Sequence, residues 1–159
     1  MSRVSGRLAA ELKQTRPFSS RRQEGTLGLL RTADVVRRAL SGVIEPHGIT
    51  LQQYNVLRIL RGAGPTGLPT LEIASRMIET SPGITRLLDR LEEKKLAARV
   101  RCPKDRRRVL CTATAEAMRL LARLDAPVHE AGDGVLRMLT DRQTDTLIAV
   151  LDAIRSAHA

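Results

Sequence analysis

Only two aromatic side chains, Phe18 and Tyr54, occur in 159 residues, and there is no tryptophan. A core built from this chain must be aliphatic, made of Leu, Ile, Val, Ala and Met. Hydrophobic residues make up 42% of the chain and charged residues 28%, so there is apolar surface enough for one. The strands of a β-sandwich draw on aromatic and β-branched residues, whereas Leu, Ala and Met suit helices. The chain is therefore expected to pack helices, as one compact domain or two small fused lobes.

Leu29, Ala33, Val36, Leu40 and Val43 recur at steps of four and three, the stripe of an amphipathic helix. The spacing predicts a helix from about Glu24 to Ile44, ended by Pro46 and Gly48. Leu27, Leu30 and Val35 widen its apolar surface, so it must bury more than one face, part of it against another chain. Thr50 offers an N-cap for a helix through Arg61, and Thr70 one for a short helix containing Leu71, Ile73, Ala74 and Met77. Thr80 is expected to cap a helix over Ser81–Lys94, with Pro82 in its first turn and Ile84, Leu87, Leu88 and Leu91 as its apolar face. Ala98–Cys102 and Arg108–Thr112 lean towards strand and read as a hairpin with a basic tip. Thr114 can cap a long helix, which Gly132 and Gly134 can bend, and Thr140 or Asp141 a final one.

This order predicts a mainly α fold: a winged helix-turn-helix core with a two-stranded β-wing, flanked by N- and C-terminal dimerisation helices. The segments are a basic arm over 1–23, a dimerisation helix over 24–49, the winged helix-turn-helix over 50–113 and dimerisation helices over 114–159. The arm reads equally as a partly helical, mobile segment or as a disordered tail.

The net charge of +10 is local. Between Ser81 and Thr112 ten basic residues face four acidic ones, an excess of +6. Met1 to Glu24 carries six against two, an excess of +4, and the remainder is neutral. A basic patch on a folded segment is the footprint of a polyanion. Thr80, Ser81, Pro82, Gly83 and Thr85 place short polar residues at a helix start, which lets the helix sit deep in a major groove of double-stranded DNA. Arg86 and Arg90, one turn apart, reach base edges or phosphates from the same side. At the hairpin tip Lys104, Arg106, Arg107 and Arg108 put four cations in five residues, suited to a minor groove. Asp105 among them is read as structural, holding Arg107 or Arg99 in a bidentate pair. A solvated helix face and an exposed charged turn would explain each part alone. Their succession favours DNA.

Other signals are weaker. Gly62, Gly64 and Gly67 fit G-x-G-x-x-G, but a helical pattern precedes them and Pro65 and Pro69 interrupt them, so they read as a loop. Cys102 and Cys111 can face each other across the hairpin, either as a redox pair or as inert strand thiols; the latter reading is favoured. His47, His129 and His158 show no metal-ligand spacing, and no nucleophile–base or paired-carboxylate arrangement appears, so neither an enzyme nor a metal or cofactor is expected. No apolar run approaches a membrane span and no signal-peptide core is present, so a soluble cytoplasmic protein with reduced thiols is expected.

Ile73-Ala74, the run Thr85-Arg86-Leu87-Leu88-Asp89-Arg90-Leu91-Glu92, Asp105-Arg106-Arg107 and Thr114 resemble the MarR family of regulators, over roughly residues 25 to 155. The resemblance implies a homodimer built on its first and last helices, a pseudo-palindromic operator, and release by a small, often phenolic, ligand or by an oxidant. Two positions depart from the family pattern. Lys95 stands where glycine is usual at the end of the recognition helix, so it must take a helix-ending conformation that glycine takes more easily, or the helix must end differently. Cys111 stands where an aliphatic residue is common. Three functions remain open: a ligand-released repressor, a winged-helix DNA-binding protein without ligand control, and a winged helix used for protein or RNA contacts.

Overall fold

The computed structural model describes residues 6–79, 83–101, 105 and 109–158. Among the described residues seven α-helices and one hairpin follow in the order α1 (Arg7–Glu11), α2 (Arg21–Ile44), α3 (Leu51–Ala63), α4 (Thr70–Ser75), α5 (Ile84–Glu93), β1 (Ala97–Arg101), β2 (Val109–Ala113), α6 (Ala115–Leu136) and α7 (Asp141–Ser156). The chain forms two compact units, residues 1–38 and 39–159. In the first, the arm is partly helical: α1 buries Ala9, and a Cβ at Gly28 would stand 3.6 Å from Leu8.

In the second unit the core is aliphatic. Ile44, Val56, Leu57, Leu60, Ile73, Leu88, Leu91, Leu121 and Leu124 are fully buried, drawn from the end of α2 and from α3 to α6. Burial of each such side chain contributes roughly 1.5–3 kcal/mol. Leu40 and Val43 of the predicted stripe pack on this core. Higher on the same helix, within the first unit, Leu29, Leu30 and Val35 lie open. α7 buries no residue, although Ile148, Val150 and Ile154 give it apolar surface.

Caps decide where the helices begin. Thr50 caps α3 in a full capping box with Gln53, and Thr140 does the same for α7 with Gln143. Thr114 caps α6 by accepting from the Ala117 N–H at 3.2 Å. Two expected caps are corrected. Thr70 is the first residue of α4, and Pro69 holds the cap position. α5 starts at Ile84 with Gly83 at the cap position expected of Thr80, which like Pro82 lies outside the described residues. Glycine needs no side-chain bond to serve there, and none is made. α6 runs unbroken through Pro127, Gly132 and Gly134.

The hairpin is antiparallel, with Ala97 opposite Ala113 and Arg101 opposite Val109, each strand one residue from its expected bounds. Leu68 adds one rung, exchanging both backbone bonds with Cys111 at 3.0 and 2.8 Å. Gly67 lies just before it with φ 67°, and a Cβ there would stand 2.6 Å from the Cys111 carbonyl oxygen. The glycine pattern thus starts in the last turn of α3 with Gly62, runs into a loop closed by a sheet rung, and is no dinucleotide fingerprint.

Candidate nucleic-acid interface

Ile84, Leu87, Leu88 and Leu91 turn one face of α5 into the core and leave Thr85, Arg86 and Arg90 exposed on the other. Among the described residues no ion pair engages Arg86 or Arg90, so both guanidinium groups are available to an incoming anion. Gly83 stands half-buried at the helix start. Thr80, Ser81 and Pro82 lie outside the described residues.

The turn into this helix is held from α3. The Asn55 side-chain oxygen accepts from the Ile78 N–H at 2.9 Å, and Gln52 donates to Glu79 at 3.4 Å. Sequence reasoning missed Asn55. Its signal was a residue of poor helical preference inside a helix, a common mark of a side chain serving another segment's backbone.

The far end of α5 is fixed by three devices. Lys94 donates through Nζ to the Gly48 carbonyl and, at 3.4 Å, to Gln53 Oε1, so this cation ties the helix to the loop before α3. Lys95 is left-handed, with φ 59°. Its N–H donates to the Glu92 carbonyl and the Leu96 N–H to the Leu91 carbonyl, both at 2.8 Å, which is the Schellman arrangement. The departure from glycine leaves the helix end in the glycine conformation, at the cost of a crowded Cβ.

Arg99 on β1 joins wing to helix. Its Nη2 donates to Asp89 at 2.6 Å, its Nη1 pairs with Glu92, and its N–H donates to Glu92 Oε1 at 3.2 Å. The hydrogen bond to Asp89 is the main cause raising the guanidinium above its ordinary range, with burial opposing. The carboxylates holding Arg99 are therefore Asp89 and Glu92 on α5; Arg107, the other expected partner of Asp105, lies outside the described residues. The charge of Asp89 and Glu92 is answered within the protein, which leaves the exposed side of α5 to its arginines. Asp105 is exposed and engaged in an interaction of its own. Lys104, Arg106, Arg107 and Arg108, expected to bind at the tip, lie outside the described residues, as does Cys102.

The register sets Cys111 opposite Arg99; Cys102, its expected partner across the hairpin, lies outside the described residues. Cys111 is fully buried, and burial pushes its thiol up, with Thr70 and Arg99 opposing only in part. His47 and His129 are exposed. Among the described residues no group of His, Cys, Asp or Glu is placed to hold a metal ion, and no helix is long and apolar enough to cross a membrane.

A short helix, a turn, a second helix with one buried face and an arginine-bearing one, then a hairpin pinned to it, define a winged helix-turn-helix DNA-binding protein. A family model described as the MarR family matches residues 49–109. A helix-turn-helix-type transcriptional repressor of Mycobacterium tuberculosis is 30% identical over 128 residues, 80% of this chain and 91% of that protein. A mutant of MarR from Escherichia coli, crystallised with operator DNA, is 26% identical with a TM-score of 0.72, covering 81% of this chain and 93% of that one. CouR from Rhodococcus jostii, crystallised with p-coumaroyl-CoA, is 27% identical with a TM-score of 0.72, covering 86% and 95%. The chain belongs to the MarR family. It is a DNA-binding transcriptional regulator and not an enzyme.

Proposed function

We propose that the chain works as a homodimeric repressor on a pseudo-palindromic operator and leaves it when a small aromatic or phenolic ligand binds. The observation that carries this reading is α5, which commits Ile84, Leu87, Leu88 and Leu91 to the core and presents Thr85, Arg86 and Arg90 outward. A two-fold dimer would set two such helices about one turn of DNA apart, in successive major grooves. The helix start, with Thr80, Ser81, Pro82 and Gly83, and the wing cations Lys104, Arg106, Arg107 and Arg108 complete the proposed contact. Dimerisation through α2 and α7 is supported by the apolar surface each leaves open. Such a 16-residue helix with nothing buried is not stable by propensity alone. Ligand control is supported by CouR, a relative that binds an aromatic acyl thioester. A protein that reads chromosomal operators works in the cytoplasm.

Random-site selection of bound duplexes tests the DNA half. Two inverted half-sites about one helical turn apart are expected; recovered sequences without a two-fold pattern would overturn it. A thermal-shift screen of aromatic acids and phenols, followed by operator release, tests the ligand half. Operator affinity that no stabilising compound changes would leave a DNA-binding protein without ligand control.

A further inference from the structure

The turn between α4 and α5 carries Ile78, whose side chain is 86% exposed; no large apolar side chain among the described residues is more open. An exposed aliphatic residue means little by itself. What surrounds this one gives it meaning. Met77 packs against the core, and Ile78 does not. The Ile78 N–H donates to the Asn55 side chain at 2.9 Å, from inside α3, where asparagine is a poor helix former. Beside it the Glu79 carboxylate accepts from Gln52 of the same helix at 3.4 Å. Two side chains of α3 are thus committed to holding this short stretch. Its charges are also answered within the protein, since Arg76 pairs with Glu72 on α4 and Glu79 with Gln52. Residues 76–79 therefore offer no spare cation to a phosphate, and their one acid would repel it. What they present outward is an aliphatic side chain on a fixed backbone, five residues before the Gly83 cap of the recognition helix.

We propose that Ile78 reads a thymine of the operator by packing on its 5-methyl group in the major groove. A recognition helix enters that groove with its N-terminal end, and the turn leading into α5 continues the same surface. Of what a base pair shows in the major groove, only the thymine methyl is apolar. A donor or acceptor covered by an aliphatic chain would lose water and gain no partner. The inference rests on α5 as the reading helix and adds a contact that precedes it in the chain. It also divides the reading. Arg86 and Arg90 suit guanine edges or phosphates, whereas Ile78 separates thymine from cytosine, which shows an amino group and no methyl at the same edge.

The test uses the full chain and the duplexes recovered by random-site selection. Each thymine is replaced singly by deoxyuridine, which pairs with adenine in the same way and lacks only the 5-methyl. Fluorescence anisotropy reads the binding. At one thymine per half-site the parent is expected to lose about three- to fivefold in affinity, the effect of one buried methyl. Replacement in both half-sites should lower affinity about tenfold or more. Ile78→Ala should weaken the unmodified operator by a similar factor and lose nothing further on the deoxyuridine duplex. Ile78→Val keeps the branched carbon and should retain most of the methyl effect. Leu71, 84% exposed at the start of α4, supplies the control: Leu71→Ala should leave the methyl effect intact. Thermal melting, unchanged on replacing exposed side chains, checks that each variant is folded. The proposal is overturned if no deoxyuridine replacement weakens the parent, if every replacement that does so weakens Ile78→Ala equally, or if Leu71→Ala abolishes the same effect. Recovered duplexes without a two-fold pattern would overturn the pseudo-palindromic operator and leave this test in force, on the thymines of the sequence that is bound.

Discussion

The Thr114 hydroxyl donates to the carbonyl of Lys95 at 2.7 Å and accepts from the Ala117 N–H at 3.2 Å. One side chain thus joins the left-handed end of the recognition helix to the first turn of α6. The Thr114 N–H adds a second tie, to the Leu96 carbonyl at 3.1 Å. The recognition helix is held where the hairpin begins and ends, so any movement of α6 is felt at α5. Lys95 carries this junction with φ 59°, in a conformation that crowds its Cβ.

Lys95→Gly relieves the crowding at its own position. The gain is partly offset because glycine is freer in the unfolded chain. A net stabilisation of about 0.5–1 kcal/mol is expected, a rise of roughly 1–4 °C for a chain of this size. Urea and thermal unfolding at fixed protein concentration check it. Thr114→Ala loses the cap and should cost about 1–2 kcal/mol, with Thr114→Ser restoring most of it. A loss of stability in Lys95→Gly would show that the lysine side chain contributes more than its backbone costs.

Gly67 is constrained twice, by φ 67° and by the Cys111 carbonyl, 2.6 Å from where a Cβ would stand. The neighbour is backbone in a sheet rung and cannot rotate away. Gly67→Ala should therefore destabilise by at least about 2 kcal/mol. Gly62→Ala, with open space around its Cβ, is the matched control and should be neutral or mildly stabilising. Chemical denaturation of the pair, side by side, gives the difference directly.

Helix existence and the buried face of α5 were legible because they follow from periodicity: Ile84, Leu87, Leu88 and Leu91 are apolar and all buried. Thr50, Thr114 and Thr140 were legible as caps because each precedes a long periodic run. Thr70 and Thr80 misled for the complementary reason. A threonine near a helix start looks the same whether it caps or not, and here Pro69 and Gly83 occupy the position. Arg99 was read, with Arg107, as a partner for Asp105 because both are near it in sequence. The β-strand carries Arg99 back over α5, to carboxylates seven and ten residues away. The bidentate pair of Arg61 and Asp125 was not legible at all, since it joins α3 to a helix more than sixty residues later.

Cys111 should behave as a core atom. Its side chain is fully buried and its thiol is pushed up by that burial, which starves it of thiolate at neutral pH. Iodoacetamide applied to the folded protein at pH 7 is expected to leave Cys111 unmodified, as read by mass spectrometry of the peptide containing it. Unfolding in urea should expose it fully. Labelling of Cys111 in the folded state at the rate of a free thiol would mean that the Leu68 rung opens readily, and would reopen oxidation as a means of control.

The division of labour at the DNA interface can be measured with three arginines. Arg86 and Arg90 are exposed on α5 and have no ion-pair partner among the described residues, whereas Arg99 is spent on Asp89 and Glu92. Arg86→Ala and Arg90→Ala should leave thermal stability within about 0.5 kcal/mol of the parent, as for exposed side chains generally. Against a selected operator, whichever arginine meets a base edge should lose about 1–3 kcal/mol and discriminate less at that base pair. One that meets phosphate should weaken all sequences alike and lower the log–log salt slope by about 0.9. Arg99→Ala should do neither. It strands two carboxylates beside the DNA-facing helix and loosens the wing, so both stability and operator affinity should fall without a change in preferred sequence. Fluorescence anisotropy across a salt series, on matched and mismatched duplexes, separates these outcomes. If Arg86→Ala and Arg90→Ala both bind like the parent at every salt concentration, α5 is not the reading helix.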